Sequence, residues 1–163
     1  MVRSTHRDMY MNFKAIEVSL NGSDTTTVVE EQVPTGLSVR GLLIWQIHQV
    51  EWFSDQSEAD CEIRAALSAR TGLVGVPLLG DDGVYAWWAR QTKLVTEGIH
   101  ESLMPFHQPF LPPVPLAAPA ISLYARTLAD VAALQGTIVR VRIGYTTAPL
   151  DANAYLEIAE TWS

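Results

Sequence analysis

Thr137-Ile138-Val139-Arg140-Val141-Arg142-Ile143-Gly144-Tyr145-Thr146-Thr147 is the stretch whose reading decides the fold. Val139, Val141, Ile143 and Tyr145 fall on one side of an extended chain, while Arg140, Arg142 and Gly144 fall on the other. That period of two is the mark of a strand with one buried face. Val139, Val141 and Ile143 are therefore candidate core residues, and Arg140 and Arg142 project together from the opposite face. Solvent is the plain destination for two such arginines. If a neighbouring subunit covers that face, its Asp or Glu side chains can pair with both guanidiniums and fix the geometry.

Working back along the chain, the same alternation recurs. Ile16, Val18 and Leu20 alternate with Glu17 and Ser19 before Asn21-Gly22, a turn pair. Thr25–Val33 is rich in Thr and Val, so a second strand is expected before Pro34-Thr35-Gly36, and the two strands suit a hairpin. Asn21-Gly22-Ser23 also fits the glycosylation pattern, but the turn is the better reading. Gly41–Phe53 is the most apolar stretch, with a mixed period: Leu43, Ile44, Ile47 and Val50 would also line a helix, yet Ile, Trp and Val favour a buried strand with a bulge. Cys61, Ile63, Ala65 and Leu67 alternate with Glu62, Arg64, Ala66 and Ser68, a further strand, against which a short helix through the alanines competes. Ile16, Val18, Ile47, Ile63 and Leu67 join the candidate core.

Four glycines and Pro77 mark residues 72–83 as loop, leading to a strand through Val84–Trp88. Residues 92–104 carry little pattern. Six of the nine prolines then fall in residues 105–119, which excludes a helix and a central strand and leaves an extended surface loop or sheet edge, with Pro109, Pro112, Pro113 and Pro115 as candidate interface residues. Ile121–Arg126 reads as a strand, and Leu128, Val131 and Leu134 are spaced for one or two helical turns. Asp151 is placed to cap a last helix with a stripe of Tyr155, Leu156, Ala159 and Trp162, although strand pairing of Leu156, Ile158 and Trp162 competes. Six to eight short strands without β-then-helix alternation predict an all-β, antiparallel sandwich or barrel with one or two short helices. Residues 1–163 form one domain, with 1–11 as an N-terminal arm.

A chain of 163 residues can bury roughly 70% of its unfolded surface around one core. Charged residues are only 18% and hydrophobic ones 48%, so apolar surface is left for contacts with other proteins. A net charge of −7 argues against strong nucleic-acid binding. Arg3, His6, Arg7 and Lys14, against Asp8, make the N-terminal segment only weakly basic. It lacks a signal-peptide core, so the chain is expected to begin where the sequence begins, and no stretch has the apolar length of a membrane span.

Chemistry is hard to find in this sequence. Cys61 is the single cysteine and reads as core. His6, His48, His100 and His107 lack metal-ligand spacing; His100 with Glu97 and Glu101 comes nearest. Gly36-Leu37-Ser38-Val39-Arg40 lacks the second glycine of a nucleophile elbow, and the glycines at 72, 75, 80 and 83 precede no Lys-Ser or Lys-Thr. No cofactor and no enzyme activity are expected. Trp87 and Trp88, adjacent on a strand, must face opposite ways. The outward one, beside Tyr85 and Arg90, can anchor a subunit interface or stack on a sugar as in a carbohydrate-binding module.

Pro112–Pro119 leading into Ile121-Ser122-Leu123-Tyr124, followed by Thr137–Tyr145, resembles the jelly-roll capsid proteins of small icosahedral viruses, particularly single-barrel coat subunits of some membrane-containing viruses. The resemblance covers about a quarter of the chain. It implies eight strands in two facing sheets, proline-rich loops and termini reaching to neighbours, self-association or co-assembly with other capsid proteins, and location in a virion assembled in the host cytoplasm. Only three Lys or Arg precede position 15, unlike the basic arms of genome-binding coats, which favours a shell over a membrane or another protein layer.

Overall fold

The computed structural model describes residues 11–37, 42–54, 61–95, 98–103 and 107–161, with backbone alone for those of 91–103 and for 159–161. Its strands are β1 (Asn12–Ser19), β2 (Val29–Pro34), β3 (Leu43–Ser54), β4 (Cys61–Ser68), β5 (Val84–Val95), β6 (Gly98–Leu103), β7 (His107–Leu116), β8 (Ala120–Thr127) and β9 (Ile138–Pro149). A 3-10 turn at Ala132–Leu134 precedes β9, and helix α1 (Ala152–Thr161) follows it.

Two antiparallel sheets face each other. The first has the order β1-β9-β3-β7 and the second β2-β8-β4-β5-β6. The pairs nest: β1 with β9, β2 with β8, β3 with β7, β4 with β5, alternating between sheets. One long hairpin folded over itself gives this arrangement, the winding of a jelly roll. β6 extends the second sheet beyond β5.

Inward-facing positions fill the space between the sheets. Ile16, Val18, Ile47, Ile63, Leu67, Val139, Val141 and Ile143 are all buried there. Trp52 of β3 and Trp88 of β5 are both fully buried and stack across the two sheets, centroids 5.9 Å apart and rings 6° from parallel. The Trp52 indole N–H donates to Gln108 Oε1 at 3.0 Å, and Gln108 Nε2 donates to the Trp87 carbonyl at 2.8 Å. A β7 side chain thus ties both sheets together.

The mixed period of β3 has a physical cause. Its register shifts between Ile47 and Gln49, so Trp45 and Ile47 point inward before the shift, and Val50 and Trp52 after it. His48 lies at the bulge, hydrogen-bonded to Thr146 Oγ1 at 2.9 Å.

Several expectations are corrected. β1 and β2 form no hairpin; they lie in different sheets, and the Asn21 side-chain oxygen accepts from the Ser23 and Asp24 amides to turn the chain across the sandwich. Thr25 starts no strand, because its hydroxyl and amide bind Asp130. Of the two readings of residues 105–119, the surface loop gives way to the sheet edge over His107–Leu116, the edge strand of the first sheet. Prolines are tolerated there because an edge leaves half its amides without a ladder partner. Phe110–Pro113 stand opposite the single bulge residue His48, and Leu111–Pro112 is cis. The helical turns around Leu128–Leu134 shrink to the 3-10 turn. On α1, Tyr155 and Ile158 pack on Ile44, Ala117 and Ala148, while Leu156 is 50% exposed; the side chains of Ala159 and Trp162 lie outside the described residues.

Candidate subunit-contact surfaces

The outer face of the first sheet carries Arg140 and Arg142, and its neighbours answer both within the chain. The register sets Glu17 opposite Arg140 and Glu51 opposite Arg142. Arg140 pairs with Glu17, and Arg142 donates through Nε to Glu51 at 2.7 Å and lies 5.0 Å over the Phe13 ring. Carboxylates from a neighbouring subunit are therefore not needed to balance these arginines. His107 Nδ1 stands 3.7 Å from Glu51 at the β7 edge. Phe13 and Phe53 are exposed on this face, and a Cβ on Gly144 would meet Gln49 and Met11 at 2.8 Å.

The edge strand presents Pro109 and Pro112 to solvent, with Pro113 and Pro115 half-buried and Leu111 almost fully exposed between them. Without amide donors, four of its ten positions cannot accept another strand. This edge is suited to side-chain contacts.

Trp87 and Trp88 part as an extended backbone requires. Trp88 lies in the core and is removed from the interface candidates; Trp87 is half-buried on the outer face of the second sheet. Arg90 does not flank Trp87: it is buried on the inner side and donates to the Ser54 hydroxyl. Tyr85 is likewise buried, which pushes its phenol well above the usual tyrosine range. A sugar platform built from these three side chains is not present.

The same outer face holds two arginines, of which only Arg64 falls in the alternation of Cys61–Ser68. Arg64 of β4 and Arg126 of β8 are direct cross-strand partners. Glu62 takes Arg64 at 2.6 Å, while Arg126 Nε is shut off from water with no hydrogen-bond partner among the described residues. Among the described residues the Trp87 indole N–H has no acceptor either. At the other end of this face, Glu30 accepts from Ser122, Tyr124 and the Gly72 amide, stapling the β4–β5 loop to β2 and β8. Turn residues alone do not account for that loop. Its glycines do turn it, with Gly72, Gly80 and Gly83 at positive φ, but between them Val74, Leu78 and Leu79 are 99%, 56% and 69% exposed. An apolar run broken by Gly and Pro has no strand neighbour to bury it, and that was the signal.

The described residues hold no group of three or more His, Cys, Asp or Glu placed to bind a metal. Glu97, the side chains of His100 and Glu101, and Ser38–Arg40 lie outside them, as does the arm before Met11. Cys61 is buried, with its thiol near the Ala129 carbonyl. An open cleft of about 320 Å³ is lined by Arg70, Leu73, Pro77, Gly80, Asp81 and Asp82. No helix among the described residues is long and apolar enough to cross a membrane.

No protein-family model and no curated protein matches the sequence. Among solved structures, a chain in the crystal structure of tomato aspermy virus is 14% identical, with 86% of this chain and 80% of that one covered and a TM-score of 0.48. A chain of the Nora virus structure is 12% identical over 87% of this chain and 58% of its own length, TM-score 0.35.

Proposed function

We propose that the chain is a structural subunit of a virus shell, acting by packing against copies of itself or another shell protein rather than by catalysis. The winding of the two sheets carries this reading. Jelly rolls serve as shell subunits, as lectins and as cupins. A cupin needs ligating side chains inside the barrel, and among the described residues the space between the sheets is filled by Trp52, Trp88, Tyr85 and aliphatic side chains. A lectin needs an accessible platform, and only Trp87 of the aromatic group reaches the surface. What the outer surface offers is contact area: Phe13, Phe53, Leu111 and the apolar β4–β5 loop. The location follows as the virion. The arginines of the first sheet, held by Glu17 and Glu51, favour protein or a membrane-bounded layer over nucleic acid as the neighbour.

Light scattering coupled to size-exclusion chromatography, with negative-stain microscopy of the peak fractions, tests this. Concentration-dependent ring- or shell-sized assemblies are the expected result. A monomer at every concentration, also when co-expressed with its neighbouring gene products, would refute it.

A further inference from the structure

Arg64 and Arg126 face each other across β4 and β8, a position in which like charges repel. The chain offsets only half of this. Glu62 holds Arg64, but among the described residues no acceptor reaches Arg126, although Arg140 and Arg142 on the other sheet each have a carboxylate. One row along the same face, with Ala66 between the strands, Trp87 presents a half-buried ring whose N–H also lacks an acceptor. The Nε of Arg126 and the indole N–H of Trp87 are donors shut off from water, and with no acceptor among the described residues each costs stability unless something supplies one.

We infer that this face is a docking site for the β4–β5 loop of a second copy, with Asp82 lying across Arg126 and Leu78 and Leu79 against Trp87. The inference rests on the shell-subunit reading above. Charge and apolarity select the occupant: the loop places an 81% exposed carboxylate, only 3.8 Å from Arg70 and loosely held, beside three of the most exposed apolar side chains of the described residues. In a chain of net charge −7, an acidic loop meets repulsion over much of a second copy's surface, and the Arg64–Arg126 pair is where it does not. Trp and Arg are also the side chains that most often anchor interfaces. Donor face and loop are different surfaces, so the contact is head-to-tail and closes into a ring when the rotation between copies allows.

The test is a charge exchange in the full chain, followed by sedimentation velocity across a concentration series. Asp82→Arg and Arg126→Asp are each expected to weaken association on the order of tenfold, and the double exchange to restore it. Arg126→Gln, which keeps polarity and relieves the repulsion with Arg64, guards against misfolding: it is expected to weaken association while the melting temperature stays at or above that of the wild type. If the wild-type chain associates and neither exchange changes its association, the docking inference is overturned and the shell reading stands. If the wild-type chain does not associate with itself at any concentration, the docking inference is overturned as well, and the shell reading then depends on a different partner protein.

Discussion

Trp88→Ala distinguishes a core tryptophan from a surface anchor more sharply than any other single change. Trp88 is fully buried, and its ring lies parallel to that of Trp52 from the opposite sheet, so truncation opens a cavity where the two layers meet. Large-to-small changes of this kind cost about 3–5 kcal/mol, including about 0.5–1.5 for the lost aromatic pair. With a urea dependence of roughly 2 kcal/mol per molar, the unfolding midpoint should fall by about 2 M. Far-UV circular dichroism is the right probe, since tryptophan emission would report the mutated pair itself, and the measurement belongs at a concentration where the chain is monomeric. Trp88→Phe keeps the stack and removes an indole N–H that has no partner among the described residues, so it should cost less than about 1.5 kcal/mol. Trp87→Ala, from the half-buried outer position, should cost about 1–2 kcal/mol. A midpoint shift below about 0.5 M for Trp88→Ala, with unchanged slope, would refute the packing argument.

Burial pushes the Tyr124 phenol up to about 12, its hydrogen bond to the Glu30 carboxylate adds to the rise, and Tyr85 is raised further by burial alone. Both folded values exceed the unfolded value near 10, so the stability these groups contribute is intact below about pH 10 and is lost as pH climbs toward 12. Urea midpoints at about pH 9 and about pH 11.5 should differ, and Tyr124→Phe should shrink the difference; an unchanged pH dependence in that variant would contradict the assignment. Trp52→Phe removes the donor to Gln108 and should cost about 1–3 kcal/mol, with a double-mutant cycle against Gln108→Leu showing clear coupling. The Tyr155 hydroxyl donates to the Ala117 carbonyl at 3.0 Å, so Tyr155→Phe should speed amide exchange in α1 while β9 keeps its protection.

The strands were legible where one face is buried and the other is not. β9 and β1 alternate cleanly because the outer side of the first sheet is polar, and β4 reads almost as well. Sheet membership was not legible: nothing local in Asn21-Gly22 distinguishes a hairpin from a crossing between sheets, and the choice is made by Thr25 and Asp130, distant in sequence. β6 escaped because residues 92–104 alternate too weakly to show a period. β7 was half legible: its prolines exclude a central strand and allow an edge, but a missing amide donor does not distinguish an edge strand from a surface loop. Of the contact surfaces, the Trp87–Trp88 divergence could be deduced from backbone geometry, but which tryptophan faces out depends on the bulge between Leu67 and Ser68 and on sheet assignment. The opposition of Arg64 and Arg126 requires knowing that β4 and β8 are neighbours, which no single strand discloses.

The nested pairing also governs how the chain must come together. Val29 meets Ala125 and Asn12 meets Tyr145, so each successive pair outward from the β4–β5 hairpin closes a longer loop at greater entropic cost. Folding is expected to run from the middle of the sequence outward and to be slow, in the millisecond-to-second range of all-β topologies. During synthesis the apolar sides of β1 and β2 wait for partners that emerge last. A chain cut short before β9 leaves β1 without its neighbour and β3 open along one side, exposing Ile16, Val18, Val50 and Trp52 together. Completeness is thus checked by topology: a product truncated before β9 cannot close the first sheet.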